Sequence, residues 1–263
     1  MPPTTGDPLE ITNLTVTYGS VTAVDRLNLR VHAGEIYGLL GSNGAGKTST
    51  MKAIVGLVNP ASGSIRVAGL DPVTQDMEVK ALVGYVPETA LLYDALTPRE
   101  FLEFVASIRQ LKFEAYGGLV RELVGALQIG PDIDRPLATL SNGTKQKILL
   151  VAGFLHRPRL LVLDEPFNNL DPRSVRIMRD LLTAYVREGG RAALFSTHTV
   201  EVAERLCSRL GILDQGKLQG EGTLSELRSQ VALPQATLED VYLNLTTEGS
   251  AVSRAVEMLS GKV

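Results

Sequence analysis

The chain has 263 residues, of which 44% are hydrophobic and 21% charged, as is typical of a globular protein with one large domain or a domain carrying a subdomain. Its net charge of −3 argues against a protein whose main ligand is nucleic acid. The single cysteine, Cys207, excludes an internal disulfide and fits a reducing cytoplasm. The first ten residues lack signal-peptide character, and the densest apolar stretch, residues 148–155, is too short to cross a bilayer. We therefore expect a cytoplasmic chain without a membrane span.

The first part of the chain is rich in strand patterns. The segments "LEITNLTVTYG" and "LNLRVHAGE" alternate between apolar and polar residues and end at turn-forming residues. An apolar run at 35–40 predicts a buried strand, which a glycine-rich turn joins to a helix from about 47 to 57. The segment "NPASGSIRVAG" predicts a loop and another strand.

The pattern becomes helical from Thr97 onward. Thr97, Pro98 and Glu100 form a capping sequence for a first helix, and a second helical stretch covers about 114–128. We therefore predict a helical subdomain, at about 88–158, inserted between sheet-forming segments.

Strands and helices alternate in the last part of the chain. A strand at 159–165 precedes a helix that has Asp171 as its cap and Pro172 at its first position. A strand, a helix and two short strands follow, up to residue 222. This alternation predicts an α/β fold with a mainly parallel sheet, preceded by an N-terminal antiparallel β subdomain. We place the main domain at 1–222 and a helical tail at 223–263.

A phosphate-binding sequence follows the strand predicted at 35–40. Residues 41–49, "GSNGAGKTS", match G-x-x-x-x-G-K-[ST]. Glycines let the backbone fold around phosphates, Lys47 supplies a cation, and the hydroxyl of Thr48 suits Mg²⁺. A glycine-rich turn with a chance lysine is the alternative, but the position between a strand and a helix favours nucleotide binding. The predicted contacts are Gly41, Ser42, Asn43, Gly44, Ala45, Gly46, Lys47, Thr48 and Ser49.

Two acids, Asp164 and Glu165, end the apolar run at 160–163. A buried strand rarely ends in adjacent carboxylates without a metal ion or a reacting group beside them. Asp164 fits the Mg²⁺ position of P-loop enzymes, and Glu165 is placed to orient and deprotonate a water molecule directed at the γ-phosphate. Two solvated acids at a strand end are the alternative.

His198 follows the strand "AALFS", at the end of a strand that we expect to face the ligand crevice of a parallel sheet. Its imidazole can donate to an oxygen of the γ-phosphate, and a purely structural histidine is the alternative. His32 and His156 have no such position, and we interpret them as surface or packing residues.

Five motifs lie in the order found in the ATP-binding-cassette (ABC) ATPases. They are residues 41–49, "LSNGTKQ" at 140–146, "LLVLDEP" at 160–166, "NLD" at 169–171 and "STH" at 196–198. Over about residues 9–222 the chain therefore resembles this family. The resemblance implies a P-loop NTPase core that binds ATP and hydrolyses it with Mg²⁺ as cofactor.

The resemblance also implies roles for single residues. Tyr18 matches the aromatic residue that stacks on adenine, with a strand-surface tyrosine as the alternative. The phosphate and Mg²⁺ ligands correspond to Lys47, Thr48 and Asp164. Glu165 corresponds to the catalytic base, and His198 to the switch histidine. Residues 169–171, which end in Asp171, correspond to the loop that touches the opposite subunit.

The segment "GYVPE" ends in Glu88, where the family usually has a glutamine. A carboxylate can ligate Mg²⁺ or hold the attacking water through its oxygen, but it cannot donate an N–H. We predict that Glu88 serves the metal and the water in a functional site with altered coupling.

The family signature L-S-G-G-Q differs here at two positions, because the chain reads "LSNGT" at 140–144. Ser141 is expected to cap a helix and donate a hydroxyl, and Gly143 to allow close backbone approach. Asn142 is tolerated in place of glycine if its backbone is left-handed, and Thr144 should make a weaker contact than glutamine. The nearby Lys145 and Lys147 are interpreted as a solvated helix face.

In the family, two cassettes pair head to tail, and each signature closes on the ATP held by the other P-loop. The resemblance therefore implies a homodimer, or a pair with a related cassette, that forms when ATP binds. The helical insertion and the Glu88 segment look like the surface on which a separate transmembrane permease subunit docks. Residues 237–246 are similar to the ends of bacterial exporter cassettes, with an ordinary amphipathic helix as the alternative.

We therefore expect the ATPase subunit of an exporter, peripheral on the inner face of the membrane. The alternative is a soluble mechanochemical ATPase that acts on nucleic acid or ribosomes. That class usually has two cassettes in one chain, coiled coils or basic extensions, and this acidic chain shows none of them. A P-loop kinase would leave residues 140–146 unexplained.

Overall fold

A computed structural model describes residues 6–89, 92–247 and Leu259. The strands are β1 (Leu9–Tyr18), β2 (Val21–Val31), β3 (Ile36–Leu40), β4 (Ser62–Arg66), β5 (Val83–Val86), β6 (Leu160–Leu163), β7 (Ala192–Thr197), β8 (Arg209–Asp214) and β9 (Lys217–Gly222). The helices are α1 (Lys47–Ile54), α2 (Asp76–Leu82), α3 (Pro98–Ile108), α4 (Phe113–Ala126), α5 (Asn142–Phe154), α6 (Pro172–Arg187), α7 (Val200–Leu206), α8 (Leu224–Gln230) and α9 (Leu238–Leu245).

The N-terminal sheet is antiparallel, in the order β2-β1-β4. The apolar residues of β1 point into the core, and Leu9, Leu14 and Val16 are fully buried. A shift in register between Ile11 and Leu14 keeps both halves of the strand facing the core. The opposite face of the strand carries polar side chains, as the alternating sequence predicts. The predicted antiparallel subdomain is thereby confirmed.

The second sheet has the order β5-β6-β7-β3-β8-β9, and its strands are parallel except for the antiparallel pair β8-β9. β7 lies between β6 and β3 and pairs with both. The carboxyl ends of parallel strands meet at one edge of a sheet, so the segments that follow β3, β6 and β7 lie side by side. This order brings the three predicted chemical motifs together.

Helices α3, α4 and α5 form the helical insertion. Thr97 caps α3 and exchanges hydrogen bonds with Glu100, as predicted. Leucines and phenylalanines from the three helices, among them Phe101, Leu123 and Phe154, pack into one core cluster with Val86 and Leu161 of the sheet. The helical insertion is therefore packed against the β5-β6 edge.

Helices α8 and α9 pack against β8 and α7. Their buried Leu227 and Val241 share a core cluster with Leu40, Ala203 and Ile212. Within the described residues, no helix combines the length and the hydropathy that a bilayer span requires. The boundary predicted at residue 222 stays a prediction, and residues 248–258 and 260–263 of the predicted tail lie outside the described residues.

Candidate nucleotide site

The glycines at the carboxyl end of β3 allow a backbone that other residues cannot adopt. Gly44 and Gly46 have φ angles of 83° and 108°, in the left-handed region. A Cβ on Gly46 would lie 2.4 Å from the carbonyl oxygen of Ala23, and one on Gly41 would lie 2.4 Å from that of Leu213. The loop is therefore closely packed from behind. No side chain caps the start of α1, so its first N–H groups are left for a ligand.

Lys47 folds back onto this loop and is only 5% exposed. Its ammonium group donates to the carbonyl oxygens of Gly41 at 2.7 Å and Ser42 at 3.1 Å. The same nitrogen lies 3.4 Å from a carboxylate oxygen of Glu165. A buried ammonium group with these partners is already positioned beside the loop and can exchange them for phosphate oxygens.

The carboxylate of Asp164, directly after β6, is almost fully buried. One of its oxygens accepts a hydrogen bond from the hydroxyl of Ser196 at 2.6 Å. The other, Oδ2, is buried and has no hydrogen-bond partner among the described residues. A buried carboxylate oxygen without a partner is costly, so Asp164 fits a cation ligand.

Glu165 has a left-handed backbone, with φ at 46°, which is unusual for a non-glycine residue. Its N–H donates to the hydroxyl of Ser196 at 2.8 Å, which holds the backbone in this conformation. Its Oε1 atom lies 3.0 Å from Nδ1 of His198 and also faces Lys47. The carboxylate is thus oriented by Lys47, at the start of α1, and by His198, directly after β7.

An open cleft of about 310 Å³ lies in front of these groups. The exposed side chain of Glu88 reaches it from the segment after β5. Burial, followed by the negative charges of Asp164 and Glu88, raises the pKa of nearby Tyr85 to about 12. The cleft is lined by Ala23, Asn43, Gly44, Gly46, Lys47, Thr48, Ser49, Glu88 and Glu165.

The oxygens at this cleft are of the kind that Mg²⁺ prefers. Thr48, Glu88 and Glu165 line the cleft. Asp164, the residue before Glu165, adds a buried carboxylate oxygen, Oδ2, that has no hydrogen-bond partner among the described residues. The residues present therefore fit the predicted cation.

The signature segment starts α5 and does not line this cleft. Ser141 is exposed, and its hydroxyl accepts from the N–H of Thr144 at 3.2 Å and lies 3.0 Å from the hydroxyl of Thr144. Asn142 is the first residue of the helix and has no positive φ. The left-handed conformation considered for Asn142 is therefore wrong: the first turn of a helix accepts asparagine without strain.

The signature helix packs closely against the segment after Glu165. A Cβ on Gly143 would lie 2.5 Å from the carbonyl oxygen of Asn169. Lys147 lies 3.3 Å from Asp171, and Lys145 lies 3.0 Å from Asp94, with only 17% and 16% of the two lysine side chains exposed. Their interpretation as a solvated face is wrong, because both stems are covered and both ammonium groups are paired.

Asp171 caps α6, as predicted, by accepting the N–H of Ser174 at 2.9 Å. Hydrogen bonds from Ser174, and then the interaction with Lys147, hold the pKa of Asp171 well below its usual range. Asp171 therefore stays a carboxylate and stabilises the start of the helix throughout the physiological pH range.

The other predicted residues lie at the periphery. Tyr18 is 47% exposed at the end of β1 and is not among the residues that line the cleft. His32 is exposed and lies 3.0 Å from Asp7. His156 is a packing residue, bonded to the carbonyl oxygen of Val83 at 3.0 Å.

Ser196 is the residue that the sequence interpretation missed. Its hydroxyl donates to Asp164 and accepts from the N–H of Glu165. The signal was its place at the buried end of a strand beside the acidic strand end, where a hydroxyl needs polar partners. It holds both acids in place.

Known proteins resemble this chain over most of its length. The chain matches the ABC transporter family over residues 24–168. It is 35% identical to the ABC-type transporter ATP-binding protein EcsA of Bacillus subtilis (strain 168), over 91% of this chain and 97% of that protein. It is also 35% identical to the bacitracin transport ATP-binding protein BcrA of Bacillus licheniformis, over 84% of this chain and 72% of that protein.

A solved structure of the ATP-binding subunit of an ABC transporter has the same fold. It superposes with a TM-score of 0.86 at 32% identity, over 90% of this chain and 98% of that one. Together with the strand order and the buried residues around the P-loop, these similarities show that the chain belongs to the ABC transporter family as an ATP-binding, ATP-hydrolysing subunit.

Proposed function

We propose that this chain is the ATPase subunit of an exporter, in which two cassettes close head to tail around ATP and drive a separate membrane subunit. The observation that carries the chemistry is the meeting of Lys47, Glu165 and His198 at the ends of three adjacent parallel strands. Each residue comes from a different strand–loop segment, so the fold itself assembles the site.

Binding begins at the P-loop. Backbone N–H groups at the start of α1 and the ammonium group of Lys47 meet the β- and γ-phosphates. Lys47 then gives up part of its contact with Glu165, because phosphate oxygens compete for the same donors. Thr48 and Asp164, with Glu88 nearby, would hold Mg²⁺, which would supply positive charge to the phosphate oxygens.

Hydrolysis depends on the carboxylate of Glu165. It accepts a proton from a water molecule directed at the γ-phosphate, while His198 holds the carboxylate from one side and can donate to a phosphate oxygen. Ser196 keeps Asp164 and the backbone of Glu165 in register. Glu88 orients the water through an oxygen and thus takes the place of the usual glutamine.

The second half of the site comes from another cassette. Ser141, Asn142, Gly143 and Thr144 start α5 away from this chain's own cleft, and Ser141 and Asn142 are exposed. Hydroxyl groups and N–H groups at a helix start suit a γ-phosphate. An identical chain or a related cassette supplies the matching P-loop. Asp171, which the family resemblance places at the contact with the opposite subunit, is held beside α5 by the ammonium group of Lys147.

A membrane subunit docks on the helical insertion in this proposal. Tyr93 and Ile108 are 62% and 64% exposed, and Phe104, 40% exposed, packs edge-on against Tyr93. Exposed apolar side chains that lie together suit a protein partner. Because Glu88 lines the nucleotide cleft, ATP binding would shift the Glu88 segment and, through it, this docking surface. The likeness of residues 237–246 to exporter cassettes supports export as the direction and a position on the inner face of the membrane.

Mixing two inactive variants tests the shared site. Lys47→Ala damages the P-loop but keeps the signature, and Ser141→Arg damages the signature but keeps the P-loop. A mixture of the two should regain ATPase activity, because one composite site in a mixed dimer is intact. Activity of the mixture equal to the sum of the separate variants would contradict the head-to-tail arrangement. The control is a mixture of Lys47→Ala with Glu165→Gln, which both damage the P-loop half of the site, so no intact composite site forms and activity should not return. Ser229→Arg alone, which changes an exposed serine of α8, should stay active and controls for the added arginine.

A further inference from the structure

The turn between β8 and β9 touches the back of the P-loop. Its two central residues, Gln215 and Gly216, have φ angles of 47° and 78°, as in a two-residue hairpin of type I′. The N–H of Gly216 donates to the carbonyl oxygen of Ala45 at 2.9 Å, and its own carbonyl accepts from the N–H of Asp25 at 2.8 Å. The turn therefore joins the P-loop to β2 by backbone hydrogen bonds.

The turn is tightly packed against β2, and the end of β8 is tightly packed against the first residue of the P-loop. A Cβ on Gly216 would lie 2.9 Å from the carbonyl oxygen of Ala23, which lines the nucleotide cleft. At the other end of the loop, a Cβ on Gly41 would meet the carbonyl oxygen of Leu213. A shift of the turn therefore moves the P-loop with it.

The side chain of Asp214 ties this turn to the C-terminal segment. Asp214 is 5% exposed, and its Oδ2 atom accepts both the N–H and the hydroxyl of Thr247, each at 2.9 Å. The amide group of Gln215 adds a contact of 3.3 Å to the same hydroxyl. A buried carboxylate that accepts two hydrogen bonds from one residue fixes that residue closely.

The helix before Thr247 reaches the same region through the core. Val241 and Leu238 of α9 are fully buried and share a cluster with Leu40, the residue that precedes the P-loop, and with Ile212 of β8. The C-terminal segment thus shares a core with β3, which leads into the P-loop, and with β8, which pairs with β3.

We propose that Asp214 is a positioning residue of the ATPase site and that Thr247 acts through it. The pair fixes the β8–β9 turn, the turn fixes the carbonyl of Ala45, and the inward-facing N–H groups of the loop are thereby pre-arranged for phosphate. Neither residue lines the cleft. The inference rests on the proposed ATP site and adds the C-terminal segment to the parts that set its affinity.

We expect variants of this pair to change the Michaelis constant for ATP without a matching change in turnover. A loosened loop must be ordered when ATP binds, which weakens binding, but the bound phosphates then restore the same geometry. Losing one such hydrogen bond should raise the KM for ATP roughly threefold to tenfold and leave kcat within about twofold.

The test uses Asp214→Ala, Thr247→Val and Thr247→Ser in the full-length chain. Asp214→Ala and Thr247→Val should raise KM, whereas Thr247→Ser keeps the hydroxyl and should restore the wild-type value. The double variant Asp214→Ala/Thr247→Val should resemble Asp214→Ala alone, because the hydroxyl has then already lost its acceptor. Calorimetric titration with ATP provides the affinity independently of turnover.

The matched control is Thr246→Val at the neighbouring position. Thr246 is buried, and its hydroxyl donates to the carbonyl oxygen of Tyr242 at 2.9 Å rather than to the turn. This variant also removes a threonine hydroxyl from the end of α9 and should leave KM unchanged.

Equal KM values for Thr246→Val and Thr247→Val, or a wild-type KM in Asp214→Ala, would overturn the inference. Wild-type protein measured in parallel distinguishes a failure of the proposed function from a failure of the positioning role. A wild-type chain that does not hydrolyse ATP contradicts the proposed function, whereas an active wild-type with insensitive variants contradicts the positioning role alone.

Discussion

The P-loop and the signature segment both present the start of a helix to solvent, but they are built differently. The helix after the P-loop has no side-chain cap, and buried Lys47, Asp164 and Glu165 stand beside it. The signature helix is capped by its own Ser141, and Ser141 and Asn142 are exposed. The P-loop thus lies in a cleft that the chain forms by itself, whereas the signature segment presents hydrogen-bond donors on an open surface.

The difference shows what a helix start needs in order to become a site. Free N–H groups alone offer weak attraction to an anion, whereas the P-loop adds a buried cation and a carboxylate held by a serine. The signature segment acquires comparable surroundings only against a second P-loop. Variants of the two regions should therefore fail in different ways.

The largest effect is expected from Glu165→Gln, which removes the base and keeps the shape of the side chain. Turnover should fall about 10²- to 10⁴-fold, while ATP binding is kept or tightened because a negative charge beside the phosphates is lost. Phosphate release under saturating ATP measures the first effect, and calorimetry measures the second. Glu122→Gln, on the exposed face of α4, is the control. Normal turnover in Glu165→Gln would remove Glu165 from the mechanism.

Lys47→Ala should weaken ATP binding about tenfold to a hundredfold. The variant loses a charge-assisted contact to phosphate and leaves Glu165 without its neighbouring cation. Lys52→Ala, in the last turn of the same helix, should bind ATP normally. If the two variants bound ATP equally well in calorimetry, the P-loop assignment would be contradicted.

Gly143→Ala tests the signature segment through packing rather than charge. The added Cβ would lie 2.5 Å from the carbonyl oxygen of Asn169, so α5 or the adjoining loop must shift. We expect roughly tenfold lower ATPase activity with ATP affinity of the single chain unchanged. Gly118→Ala on α4 adds its Cβ in open space and should behave as wild type. Loss of single-chain affinity in Gly143→Ala would mean that the signature serves its own P-loop.

The smallest effect concerns stability and pH at His156, away from both regions. Burial, followed by the charge of Arg109, lowers its pKa to about 4 from 6.5. Between these two pH values only the unfolded chain binds a proton at this residue. The contribution of His156 to the free energy of unfolding is therefore fully present above pH 6.5 and is lost as the pH drops toward 4. His156→Gln keeps a donor for Val83 and should reduce the loss of unfolding free energy between pH 7 and pH 5 by about 1 kcal/mol, after allowance for solvent screening. Identical losses in denaturant titrations of the two proteins would contradict this account.

Local signals predicted much of the fold. Thr97 with Glu100, and Asp171 with Pro172, mark helix starts through hydrogen bonds that form within one turn, and the structure has both. The short α2, directly before β5, was not predicted. Its buried Val79 shares a core cluster with Leu9 and Leu160, which are distant in sequence.

The site was predicted in its residues and less well in its environment. Motif order indicated Lys47, Asp164 and Glu165, but the bridging role of Ser196 follows only from the pairing of β6 with β7. Lys145 was misjudged because its partner, Asp94, is far away in sequence. Asn142 was misjudged because it directly follows the cap Ser141 and is therefore the first residue of the helix, with an ordinary helical backbone.

The molar mass of Glu165→Gln in the presence of ATP tests the central claim most directly. Light scattering should give twice the 28.3 kDa of one chain, since ATP is bound between a P-loop and a partner's signature and is not hydrolysed. Adding Ser141→Arg should return the mass to that of a single chain, while adding Ser229→Arg should not. A dimer that persists with Ser141→Arg would contradict closure through the signature segment.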